Sequence, residues 1–128
     1  MGLYDDPFQN FGRLDMEMIR AARLVVDSGL HTKGWRRERA IRYMQQNTSL
    51  NRAAVEQEIN RYIVWPGQAT SYKVGEPFIK RMRMKAEDQL GARFDIRDFH
   101  QHVLDSGAIP LAVLERKIDD WIVRIANR

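Results

Sequence analysis

Leu111, Leu114, Ile118, Trp121, Ile122 and Ile125 recur at steps of one to four residues, the spacing that gathers apolar side chains on one face of an α-helix. Similar steps recur along most of the chain, and no stretch alternates apolar and polar residues as a half-buried strand would. The pattern confines the chain to an all-α fold of about six helices. The first is expected from about Gly12 to Leu30, with Leu14, Met18, Ala21, Ala22, Val25 and Val26 at helical spacing and Gly29 near its end. A second follows from about Trp35 to Gln46. A third, about Asn51 to Tyr62, has Ser49 or Asn51 as its cap and Ala54, Val55, Ile59 and Ile63 on one face. The fourth begins inside "WPGQATSYKVGE" and ends at Gly91, with Pro77 in its first turn or at a kink. Asp95 caps a short fifth helix to about Ser106, with Gly107 as its terminator, and Pro110 opens the sixth.

At 128 residues the chain holds one domain's worth of sequence and can bury a modest core. Residues 1–128 are therefore expected to form a single helical domain or a fragment of a larger one. With 44% hydrophobic and 30% charged residues, the composition is that of a globular protein rather than a disordered one. No apolar run is long enough to span a bilayer, and "MGLYDDPF" has neither the basic start nor the apolar centre of a signal peptide. Asp6 stands where a myristoylation signal needs serine or threonine. These features point to no membrane partner and leave the compartment open. The absence of cysteine excludes disulfides, thiolate zinc ligands and a cysteine nucleophile.

The net charge of +4 gathers in two clusters, Arg36, Arg37, Arg39 and Arg42 in "WRRERAIR" and Lys80, Arg81, Arg83 and Lys85 in "KRMRMK". Apolar residues interleave with both, so the charges read as solvated helix faces. No nucleic-acid motif accompanies them, and nucleic acid is not expected as a partner. His100 and His102 lie two apart, about 200° around a helix, which is poor geometry for a shared metal. There is no HExxH and no phosphate-binding glycine loop.

Two constellations carry chemistry. In "DSGLH", Asp27 and His31 are four apart, so on a continuous helix the carboxylate can accept from the imidazole and orient it. A histidine at a helix end with a local ion pair is the plainer reading. In "WPGQATSYKVGE", Gly67 and Gly75 permit unusual backbone angles or close helix contact, and Tyr72 could present its hydroxyl to a cleft. A tight connection with a buried tyrosine is the plainer reading there.

These segments, together with "INRYIVWPGQATSYKVGE" and "FDIRDFHQHVLDSGAIPLAVLERKIDDWI", closely resemble the carboxy-terminal region of the bacterial domain-of-unknown-function 885 family over essentially the whole chain. The resemblance implies the carboxy-terminal part of a larger helical zinc-peptidase-like fold. Such proteins carry an HExxH helix and a downstream glutamate that hold zinc. Both should precede Met1, which then reads as an internal methionine or the start of a truncated product. On this resemblance zinc belongs to the full-length family, with no cofactor in this chain, which is inactive alone. His31 and Tyr72 are assigned as oxyanion donors, with Asp27 orienting His31. Gln68, Lys73 and, less directly, Arg61 and Tyr62 are assigned to a peptide-like substrate, a structural Arg-Tyr pair at the helix end being the plainer reading of the last two. The expected partner is the missing amino-terminal half or a second copy of the chain. The alternative is a non-catalytic helical interaction or oligomerisation module.

Overall fold

In the computed structural model, which describes residues 4–127, six α-helices follow one another. The reading made at Met1 lies outside these residues. The helices are α1 Pro7–Thr32, α2 Arg37–Asn47, α3 Arg52–Val64, α4 Ser71–Leu90, α5 Ile96–Leu104 and α6 Leu111–Ala126, with short 3-10 turns at Gln68–Thr70 and Gly91–Arg93. There is no strand among the described residues, as the apolar spacing requires. None of these helices is long and apolar enough to cross a membrane.

Local chemistry sets the ends. α1 begins five residues earlier than its apolar stripe suggested, because the Asp6 carboxylate accepts from the Phe8 N–H at 2.9 Å and Pro7 supplies a first residue with no N–H to satisfy. It ends at Thr32, beyond Gly29. The reversal is made by Gly34, whose φ of +62° is left-handed, and the Trp35 N–H returns to the Gly29 carbonyl at 2.9 Å. Trp35 therefore stands outside α2. Asn51, rather than Ser49, caps α3 through the Ala54 N–H at 2.9 Å. Pro77 lies in the second turn of α4, so of its two expected placements the first turn does not hold.

The chain divides into two compact units, Met1–Lys73 and Val74–Arg128. The core of the first is Ile19, Ala22 and Val26 of α1, Ala40, Ile41 and Met44 of α2, Val55, Ile59 and Tyr62 of α3, and Ala69. Leu14, Met18 and Val25, expected on the inner face of α1, are exposed instead. α1 carries two apolar stripes, and only that of Ile19, Ala22 and Val26 meets α2 and α3. Likewise Tyr62 takes the buried place on α3 that Ile63 was expected to share.

In the second unit Met82, Ala86 and Leu90 pack in one cluster with Phe99, Leu114, Ile118, Trp121 and Ile122. Asp95 caps α5 through the Arg97 N–H at 2.7 Å. The Arg97 side chain, that backbone bond and its charge hold the Asp95 carboxyl down at about 2. His102 stacks on Trp121, ring centres 5.1 Å apart, with Nδ1 2.8 Å from the Asp98 carbonyl. That is a structural placement. Among the described residues no three His, Cys, Asp or Glu side chains come together as a metal site.

Candidate functional site

The turn between α3 and α4 is fixed from beneath by one carboxylate. Asp27, in the last third of α1 and 5% exposed, accepts the Gly67 N–H on both oxygens, at 3.2 and 3.1 Å. Gly67 has φ of +80°, a left-handed conformation that costs a residue with a Cβ. Gly75 needs neither a left-handed angle nor a close neighbour: it lies within α4 and nothing stands within 4 Å of where a Cβ would be. Of the two glycines singled out in "WPGQATSYKVGE", only Gly67 has a conformational reason.

The structure does not join Asp27 to His31. With both Asp27 oxygens turned to Gly67, exposed His31 has Nε2 2.9 Å from the Tyr62 carbonyl. The carbonyl can only accept, so Nε2 carries the proton and the ring caps the end of α3. In the neutral ring Nδ1 then has no proton to donate. Donation from Nδ1 with this bond intact requires the imidazolium.

Beside the turn lies an ionic cluster that the sequence motifs did not reveal. Arg23 of α1 donates from Nε to the Tyr62 hydroxyl at 2.9 Å and from Nη2 to Glu58 at 2.8 Å. The same Glu58 oxygen accepts from Arg61 at 3.0 Å and from the Tyr62 hydroxyl. Two guanidinium groups thus share one carboxylate, leaving a net positive charge. Burial alone would raise the Glu58 carboxyl, but the hydrogen bonds from Arg61 and Tyr62 and the charges of Arg23 and Arg61 outweigh it and hold the group below its ordinary 4.5. The Tyr62 hydroxyl is pushed up to about 12, by burial first and then by its bond to the Glu58 carboxylate. Arg23 and Glu58 lie 35 residues apart, too far for any local spacing rule to pair them.

The remaining assigned residues surround this cluster. Arg61 and Gln68 meet each other, the Arg61 Nη1 donating to the Gln68 side-chain oxygen. Half-buried Lys73 pairs with Glu17 at 3.0 Å. Tyr72 is 55% exposed, so the plainer reading of it as a buried core residue does not hold. Its ring centre is 5.9 Å from the Arg23 guanidinium, within cation–π range. Its hydroxyl makes no hydrogen bond among the described residues.

The fold and this turn define a class: an all-helical protein in which a buried aspartate and an arginine-rich cluster hold a loop and an exposed tyrosine on one side of a helix bundle. Residues 1–118 match the family model described as a bacterial protein of unknown function, DUF885, and the chain belongs to that family. It is also similar to a solved structure described as that of the "putative lipoprotein" from Colwellia psychrerythraea, at 48% identity and a TM-score of 0.93. That match covers 96% of this chain and 21% of the other, so the present chain spans about a fifth of that protein's length. No curated protein matches the chain.

Proposed function

We propose that the chain forms the substrate-cleft part of a zinc-dependent, peptidase-like hydrolase, in which Tyr72 donates a hydrogen bond to the oxyanion formed at a peptide carbonyl. The residues described here do not fit a zinc site. On this reading the metal is held by parts of a longer protein, and the chain alone is inactive. One observation carries the proposal: Tyr72 is exposed at a turn anchored by a buried carboxylate, beside a fixed guanidinium, with its hydroxyl unengaged. The neighbouring positive cluster suits an anionic transition state, since a preorganised donor there needs no reorganisation as charge develops.

The other assignments follow in declining order of support. His31 is a second donor only as the imidazolium or after leaving the Tyr62 carbonyl. Gln68 and Arg61 can turn to a substrate backbone or carboxylate by exchanging their mutual bond for one to substrate. Lys73 is assigned to the substrate on the resemblance, and in this structure it pairs with Glu17. Asp27 acts on the turn through Gly67 rather than on His31.

A second reading, a helical interaction module, is favoured by a different observation. Phe11, Leu14, Met18 and Val25 of α1 are all exposed and, with Ala21 between them, step by three and four along one line, the spacing of a coiled-coil seam.

The catalytic reading is tested in a longer family member that carries the metal-binding helix. Tyr72→Phe should lower turnover by about 10²- to 10³-fold with little change in the Michaelis constant. His31→Ala should act on the same step and combine less than additively with it. Intact turnover in Tyr72→Phe, together with a lower melting temperature, would make the tyrosine structural and leave the interaction reading.

A further inference from the structure

The two basic clusters of the sequence part company in the fold. In the second, Lys80 pairs with Glu76, Arg83 with Glu87 and Lys85 with Asp119, and Arg81 lies over the Phe78 ring. These are neutralised helix faces. In the first, Arg37 donates to Asn60 at 2.9 Å, while Arg36, Arg39 and Arg42 make no ion pair among the described residues. They stand at steps of three along the start of α2, so like charges are neighbours, an arrangement that opposes helix formation unless something offsets it.

These arginines line a concavity. One cavity of about 480 Å³ is bounded by Gly34, Trp35, Arg36, Glu38, Arg39 and Arg42. A second of about 430 Å³ shares Trp35, Arg39 and Arg42 with it and adds Tyr43 on its wall. Glu38 is the one acid in either wall. The Trp35 indole in both walls sits so close to Gly29 that a Cβ there would lie 2.5 Å from the ring. The Arg39 guanidinium stacks over the same indole, 4.2 Å from its centre. Stacking fixes the plane of the guanidinium in advance, so a bidentate oxyanion meets a preformed fork at a lower entropic cost.

We propose that this groove binds a small polyanion, a ligand bearing two or more phosphate or carboxylate groups, with Arg39 and Arg42 as the principal contacts and Arg36 at the mouth. Both chemistries present the paired oxygens that a guanidinium fork recognises.

The experiment is calorimetric titration of the chain with inorganic pyrophosphate and, separately, with citrate at low ionic strength, following the Trp35 indole N–H by NMR. Saturable binding of either is expected, with the Trp35 resonance shifting and affinity falling as salt rises. The pair of titrations tells phosphate from carboxylate preference. Arg39→Gln with Arg42→Gln should weaken binding at least tenfold while far-ultraviolet circular dichroism stays unchanged, since both side chains are exposed. Arg39→Lys should also weaken it, because charge without the stacked fork is not enough. Arg83→Gln, in the neutralised cluster, should leave it unaltered. The proposal is overturned if neither anion saturates, if the double variant binds as well as the parent, or if Arg83→Gln weakens binding as much.

Discussion

Glu58 shows how much one side chain can organise. A single carboxylate oxygen takes Arg23, Arg61 and the Tyr62 hydroxyl, so its ionisation is linked to the packing of α1 against α3. Its folded-state pKa lies below the ordinary value of 4.5. The stabilisation is therefore fully present above that pH and is lost as the pH falls through the depressed folded value. Tyr62 has the opposite placement. Its folded pKa of about 12 exceeds the ordinary 10.0, so its contribution is present below pH 10 and is lost as the pH rises towards 12. We expect the urea midpoint of the chain to fall below pH 4.5, and Glu58→Gln to remove part of that fall at the cost of lower stability at neutral pH, with Asp95, held down at about 2, contributing the rest at lower pH. Ultraviolet titration of the folded protein should show one late-ionising phenol, absent from Tyr62→Phe. A Tyr62→Phe protein with the same late component would remove Tyr62 from this arrangement.

At the scale of elements, what was legible in the sequence was what neighbours in the chain decide. Asn51 and Asp95 cap helices because their side chains reach N–H groups two or three residues away, and Gly91 and Gly107 mark reversals that require left-handed angles. Which stripe of α1 faces inward was not legible, since Met18 and Ile19 are both apolar and the approach of α2 and α3 chooses between them. The candidate site divides the same way. Gly67 and Tyr72 stood out as local irregularities, whereas the partners that define them, Asp27 for Gly67 and Arg23 for Tyr72, come from another helix. Gly29 and Gly75 make the distinction measurable. Alanine at Gly29 meets the middle of the Trp35 ring at 2.5 Å, and such overpacking costs about 1–3 kcal/mol, more than the gain of up to about 1 kcal/mol in helix propensity. At Gly75 nothing opposes that gain. Thermal melts should therefore show Gly29→Ala destabilised and Gly75→Ala slightly stabilised, and equal effects would contradict the close approach of Trp35.

For the molecule as a whole, the outward stripe of α1 raises the question of what covers it. Phe11 is 66% exposed, Met18 53%, Leu14 49% and Val25 39%, and they share one line on a helix of 26 residues. A scattered exposed leucine needs no explanation, but an apolar seam at heptad spacing is the surface that helices bury against one another. In a longer family member such a seam can be covered by the rest of that protein, and the isolated chain has only a second copy of itself to use. Sedimentation equilibrium of the chain should therefore give a weight-average mass that rises above 15.0 kDa as concentration increases. Phe11→Ser with Met18→Ser should bring it back towards that value without loss of helicity, because neither side chain belongs to the buried core. The same pair of changes should leave the Trp35–Arg39 stack and the Asp27–Gly67 bond intact, since none of those residues lies on the stripe. A mass fixed at that of one chain across the whole concentration range would show that the seam does not join copies, and the interaction reading would lose the observation that favours it.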